Sequence, residues 1–174
     1  MRKIILCATI SLDGYLAPVY GGFEIIESVS RQCNLKTSLI HFNSVDTIIM
    51  GGNTYWEFIC KRVDIPFRDK KVYVVSKNPL ELHREIIYIK ENAINKIAKL
   101  KEEDGKDIWL IGGGLLTISL MEYKLIDKMV INYLPVMLGE GILLFPRFKG
   151  ESKWKLINSR PFENKILQVE YDLI

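Results

Sequence analysis

The sequence is poor in the residues from which many sites are assembled. It has two histidines, His41 and His83, and three cysteines, Cys7, Cys33 and Cys60, with no C-x-x-C spacing. A structural zinc site draws about four clustered Cys and His ligands, so no zinc set can be built here. An odd cysteine number also argues against a disulfide framework; the three are expected buried and reduced, which fits a cytoplasmic protein. No Lys-Ser or Lys-Thr follows the main glycine run, which excludes a phosphate-loop NTPase, and the absence of P-C-x-x-C excludes a zinc deaminase half. No apolar run reaches the roughly 20 residues that cross a bilayer, so no membrane partner is expected. Charge of either sign is not in excess: 24 Lys and Arg against 21 Asp and Glu give +3. The basic residues are scattered rather than striped with aromatics, so nucleic acid is a poor candidate partner and an anionic small molecule a better one.

What is present suits one globular domain over residues 1–174. At 48% hydrophobic and 26% charged, the chain has enough apolar side chains for a full core and carries no repeat or low-complexity stretch. Met1-Arg2-Lys3 followed by residues 4–10 imitates a short signal peptide. Asp13 interrupts it and Leu16-Ala17-Pro18 is a weak cleavage site, so Ile4, Leu6 and Ala8 read as strand residues.

Apolar strand-like runs alternate with helical stretches, which argues for an α/β layer structure with a largely parallel central sheet. The strands are expected at 3–10, 47–50, 71–75, 86–89, 107–111 and 128–134, the last stopped by Pro135. A helix ends near His41 and Phe42, and another starts near Thr54. A third, over 93–103, is N-capped by Asn92 and closed by Asp104-Gly105; Ile94, Ile97 and Leu100 share its apolar face and Lys and Glu its solvent face. Residues 154–159 and 166–173, joined by a turn near Glu163-Asn164, alternate like an antiparallel hairpin.

The segment with most chemical content is Asp107-Ile-Trp-Leu-Ile111 running directly into Gly112-Gly113-Gly114 and then Leu115-Leu116-Thr117. Glycine permits φ > 0 and close approach of a ligand to the main chain, and the N–H groups that open the next helix favour an anion such as a pyrophosphate. The dinucleotide fingerprint G-x-G-x-x-G is not met, since its third glycine position is Thr117 and no acid lies near Asn132. A close strand-to-helix connection without a ligand is the alternative, and three glycines in succession tilt the balance towards a ligand.

Other loops leave the carboxyl ends of the strands, the edge at which open α/β sheets bind ligands. Gly51-Gly52-Asn53-Thr54 bares its backbone and offers a hydroxyl to a phosphate, or Asn53 and Thr54 simply cap a helix. Ser76-Lys77 offers a hydroxyl and a point charge to a ribose phosphate, or Lys77 is merely solvated. Asp13-Gly14 either anchors a substrate or forms a turn in which the acid caps its own backbone. Pro135 to Gly141 is a bulged loop at the site or an ordinary turn.

Four blocks, in order, resemble one family: Ser11-Leu12-Asp13-Gly14 with Ala17; Asp46 to Gly51 with Thr54-Tyr55; Ile111 to Gly114 followed by Leu125-Ile126-Asp127; and Pro135 with Leu138-Gly139-Glu140-Gly141 and Phe145. They are similar to the dihydrofolate-reductase-like fold, and more closely to the C-terminal reductase domain of the bifunctional deaminase-reductase of riboflavin biosynthesis. The resemblance implies a three-layer α/β fold, with a mixed, mostly parallel central sheet, helices on both faces and a C-terminal antiparallel hairpin. It implies NADPH as cofactor, with Gly51, Gly52, Asn53, Thr54, Ser76 and Lys77 on its adenosine phosphate side and Gly112, Gly113, Gly114, Leu115 and Leu116 along its pyrophosphate. Hydride would pass to a pyrimidine-type small-molecule substrate, with Asp13 as catalytic residue and Asp13 and Gly14 beside the substrate, in a homodimer. Three positions depart from the family: Gly52 where it often has Arg, Tyr15 where it often has Lys, and Lys128 where it has an acid. Dihydrofolate reductase is the alternative enzyme, although Glu24 and Glu27 do not sit in its pattern, and a nucleotide-binding protein without catalysis is the alternative outside enzymes.

Overall fold

The structure, a computed structural model, describes residues 1–22, 42–60, 69–162 and 166–174. The expected helix ending near His41, Cys33, Glu24 and Glu27, and the turn at Glu163-Asn164 lie outside these residues. Among the described residues no helix is long and apolar enough to cross a membrane.

Among the described residues eight strands form one sheet, in the order β5-β4-β3-β6-β1-β7-β10-β9. These are β1 (Ile4–Ile10), β3 (Val45–Gly51), β4 (Lys71–Val75), β5 (Ile86–Ile89), β6 (Asp107–Gly112), β7 (Lys128–Tyr133), β9 (Trp154–Phe162) and β10 (Ile166–Leu173). The strands from β5 to β7 pair in parallel, and β10 and β9 close the sheet antiparallel. Two short strands that periodicity did not reveal, β2 (Tyr15–Ala17) and β8 (Ile142–Leu143), pair with each other outside that sheet. Among the described residues the α-helices are α1 (Gly52–Cys60), α2 (Ala93–Glu102) and α3 (Gly114–Glu122).

Side chains of a strand alternate between faces, and β1 separates two cores accordingly. Ile4, Leu6, Ala8 and Ile10 pack with Ile97 and Leu100 of α2 and Leu116 and Leu120 of α3. Ile5, with Ile48, Met50, Val72, Val74 and Trp109, packs with Tyr55 of α1. Helices therefore cover both faces of a mixed, mostly parallel sheet, as the resemblance implied.

Several local expectations are corrected. Asn92 precedes α2, but with φ 54° and ψ 36° and no side-chain cap bond; its carbonyl accepts from Lys96 N–H at 3.0 Å. Asparagine is there because it tolerates the left-handed region, not because its amide caps. The solvent face of α2 is not wholly solvated, since Lys101 is only 4% exposed. Its ammonium lies 2.7 Å from Asp127, whose carboxylate also accepts from Ile4 N–H at 2.7 Å. Losing one partner of a buried pair leaves the other charge uncompensated, which costs about 3 kcal/mol or more. Asp46 is held similarly by Arg2, by Thr47 and by Lys106 N–H. Two acids of the family-like blocks thus tie strand ends together. Strand β9 runs on through Pro161, which a sheet edge tolerates because only one side of an edge strand carries ladder bonds. Cys60 is exposed rather than buried, while burial pushes the Cys7 thiol up to about 12.

Candidate functional site: a cofactor cradle beside an apolar pocket

The loops after β4, β3, β6 and β1 emerge in that order along one sheet edge. Parallel pairing puts their carboxyl ends together: Gly51 is opposite Val75, and Met50 opposite Gly112. An irregularity between Ile49 and Met50 skips Ile111 and brings the glycine run level with Gly51.

Glycine then makes the loops touch. A Cβ on Gly113 would sit 3.3 Å from Thr54 Oγ1 and 3.8 Å from Gly51 Cα. On Gly52 it would collide with Ser76 Oγ at 2.8 Å. Both Gly112 and Gly113 have positive φ, 117° and 95°, and nothing lies within 4 Å of where a Gly112 Cβ would point. Two helices, α1 and α3, begin at this floor, and the first N–H groups of each have no acceptor inside their own helix. Polyanion binding at such a place is worth about 0.3–1 kcal/mol per helix from the dipole, and more when partly buried. No Asp or Glu occurs in Gly51–Thr54, Ser76–Lys77 or Gly112–Leu116 to oppose it.

Each expected cofactor residue can now be located. Gly51, Gly52, Thr54, Ser76, Gly112, Gly113 and Leu116 converge. Gly114 has a second reason to be glycine, since its Cβ would meet Leu143 O at 2.4 Å. Leu115, 76% exposed, opens α3 with an uncovered apolar side chain. Asn53 and Lys77 are exposed at the rim.

Beyond the glycine floor, β1 ends in the Asp13 loop. Asp13 bonds within its own turn and also reaches beyond it. Its carboxylate accepts from Ser11 Oγ at 2.5 Å, Gly139 N–H at 2.7 Å and Leu138 N–H at 3.2 Å. Those bonds, Ser11 foremost, hold its pKa at about 2 against an ordinary 3.8. Gly14 turns at φ 88° beside it, and Gly14 O accepts from Leu144 N–H at 3.1 Å. The Pro135–Gly141 segment is thus tied to the Asp13 loop: Val136 O also accepts from Leu12 N–H at 2.9 Å, and Gly139 O from Tyr15 Oη at 3.2 Å.

Between these two loops lies a pocket walled by Leu16, Ala17, Pro18, Leu134, Val136 and Leu138, with Thr9, Ser11 and Tyr15 as its hydroxyl-bearing residues. Thr9 escaped the sequence reading. Its signal was a polar residue on the odd-numbered face of an otherwise apolar strand.

A glycine-floored cradle at the β3 and β6 ends thus lies next to a small apolar pocket at the β1 and β7 ends. Residues 2–168 match the RibD C-terminal domain. The chain belongs to that family. It is 32% identical over 171 residues to the uncharacterised protein YwjB of Bacillus subtilis (strain 168), covering 98% of this chain and 97% of that one. To the uncharacterised YyaP of the same strain it is 32% identical over 181 residues, covering 98% and 94%. Among solved structures, a protein of Shewanella sp. PV-4 provisionally assigned to riboflavin biosynthesis superposes with a TM-score of 0.87 at 26% identity, with 99% of both chains covered. Dihydrofolate reductase of Enterococcus faecalis, complexed with NADP(H), gives 0.73 at 12% identity over 98% and 96%. The diaminohydroxyphosphoribosylaminopyrimidine deaminase/5-amino-6-(5-phosphoribosylamino)uracil reductase of Thermotoga maritima gives 0.70 at 14% identity, over 99% of this chain and 57% of that one. The last two are likenesses of fold.

Proposed function

We propose that the protein is an NADPH-dependent reductase of the riboflavin-biosynthesis type, passing hydride to a pyrimidine-linked ribose or a similar small substrate. The observation that carries the reading is the close approach of Gly51 and Gly113 between two helix N-termini, one strand away from the apolar pocket. The cradle's chemistry fits a dinucleotide: bare main chain for a pyrophosphate, Thr54 and Ser76 hydroxyls, and Lys77 at the rim. NADPH supplies the hydride when bound. The chain's own part is to hold the reacting groups together and exclude water, with Leu115, Leu16 and Leu138 as apolar cover. Asp13, ionised at neutral pH, holds the pocket loop rather than donating a proton. Membership of the RibD C-terminal domain family and the Thermotoga reductase's fold support the substrate class. The test is NADPH oxidation with 5-amino-6-(5-phosphoribosylamino)uracil, with dihydrofolate, and with neither. Turnover of the pyrimidine alone sustains the reading, and turnover of dihydrofolate alone replaces it.

Because Gly52 stands where the family often has Arg, discrimination for the 2′-phosphate rests on Lys77 with Ser76. A hydrogen bond to a charged group contributes about 1.5–3 kcal/mol. Fluorescence titration is therefore expected to give tighter binding of NADPH than of NADH, and Lys77→Ala to remove most of the difference. Equal affinities in the wild type take Lys77 out of the site.

We further propose a homodimer. Ile142, Leu143 and Phe145, within the apolar stretch that follows β7, stay exposed by 44%, 38% and 38%. Apolar surface of this kind favours a symmetric partner. Light scattering at micromolar concentration is expected to give twice the chain mass; a monomer mass rules it out.

A further inference from the structure

Across four neighbouring strands, one row of side chains is polar. Thr9 of β1 is opposite Asn132 of β7, Asn132 opposite Gln168 of β10, and Gln168 opposite Arg160 of β9. Asn132 and Gln168 are 6% and 1% exposed. Buried amides are costly unless bonded, and these are bonded in sequence. Arg160 Nε and Nη2 donate to Gln168 Oε1 at 3.0 and 2.6 Å, Gln168 Nε2 to Asn132 Oδ1 at 2.8 Å, and Asn132 Nδ2 to Thr9 Oγ1 at 3.3 Å.

The direction of this row is not arbitrary. A guanidinium only donates, so Gln168 must present its oxygen to Arg160 and its amino group to Asn132. Asn132 must then present its oxygen to Gln168 and its amino group to Thr9. Thr9 Oγ1 is left accepting, and among the described residues nothing takes its proton. The other pocket hydroxyls are committed: Ser11 Oγ donates to Asp13 and accepts from Tyr15 N–H, and Tyr15 Oη donates to Gly139 O.

We propose that Thr9 is a hydrogen-bond donor to the substrate, and that Arg160, Gln168 and Asn132 are positioning residues that fix this polarity from the edge of the sheet. The pocket thereby selects a ring that presents an acceptor to Thr9, either a carbonyl oxygen or an unprotonated ring nitrogen. The inference rests on the reading of this pocket as the substrate site, and it names the face of the substrate that enters first.

Gln168→Glu tests it without changing shape. A carboxylate accepts from both sides, so Asn132 must turn its amino group to residue 168, and Thr9 must donate to Asn132 and show lone pairs to the pocket. In 15N-labelled wild type without cofactor, the Asn132 side-chain amide protons are expected to give nuclear Overhauser effects to the Thr9 methyl, and Q168E is expected to lose them. With 5,6-diaminouracil as the probe, NMR titration is expected to show about tenfold weaker binding in Thr9→Val. Q168E should weaken binding further, since a lone pair then faces the carbonyl. The double variant should equal T9V, because without the hydroxyl the polarity of Asn132 has nothing to act through. A purely structural effect of Q168E adds to that of T9V and overturns the proposal, as do a wild type lacking the Overhauser effect, a wild type that does not bind the probe, and a T9V protein that binds it unchanged. Failure of NADPH to bind overturns the reductase reading alone, since both measurements here are made without it.

Discussion

Replacing Gly113 by valine is expected to weaken NADPH binding by about 100-fold or more, the equivalent of about 2.7 kcal/mol, while circular dichroism stays that of the folded protein. Two costs combine. At φ 95° and ψ 112° the backbone is in a region that β-branched residues avoid. The new Cβ also arrives 3.3 Å from Thr54 Oγ1, so the methyls fill the gap between the two glycine loops where the cofactor's phosphates are proposed to lie. The core contacts of α3 through Leu116 and Leu120 are untouched, which is why the fold should survive. Gly113→Ala, with the same strain but less bulk, should bind NADPH with intermediate affinity. Undiminished binding in both would mean that these glycines serve strand-to-helix packing and nothing else.

Asp13→Asn should separate binding from turnover. The cofactor cradle does not include Asp13, so NADPH affinity should stay within about twofold, but kcat/KM on the pyrimidine substrate should fall by about 100-fold. Misplacement of about 1 Å is enough for a loss of that size. The amide oxygen can still hold the Leu138 and Gly139 N–H groups, but the Ser11 bond must reverse so that Oγ accepts from the amide, and all three lose the charge that made them roughly twice as strong as neutral bonds. The carboxyl is held at about 2, below its ordinary 3.8, so its grip is complete above about pH 4 and is lost as pH falls through about 2. Between pH 5 and 8 the kcat/KM profile should therefore carry no inflection from Asp13. Unchanged kinetics in the variant would reduce Asp13 to a turn residue.

Much of this was legible in the sequence because two signals, period and glycine, are local. Strands β3, β6 and β7 are apolar runs with clear stops, and Gly112 to Gly114 announce a strand-to-helix turn whatever surrounds them. What was hidden depends on distant partners. Lys101 reads as a solvated lysine until Asp127 arrives from another strand, and Asp13 reads as a turn acid because its acceptor role is directed at Leu138 and Gly139, far along the chain. Strands β2 and β8 are too short for a period to develop. Thr9 was passed over because one threonine in a strand is unremarkable until register sets it opposite Asn132.

The segment from Leu138 to Leu144 is tied at both ends and in the middle. Asp13 holds Leu138 and Gly139, Ala17 pairs with Ile142, Gly14 holds Leu144, and Leu143 O rests against Gly114 at the start of α3. Its two ends thus belong to different jobs, one facing the pocket and the other the cradle, with a fixed number of residues between. That number cannot drift: a single insertion or deletion here would shift one end out of register whichever end stayed put. Substitutions in this stretch are tolerable one side chain at a time, whereas its length behaves as a shared dimension of both halves of the site.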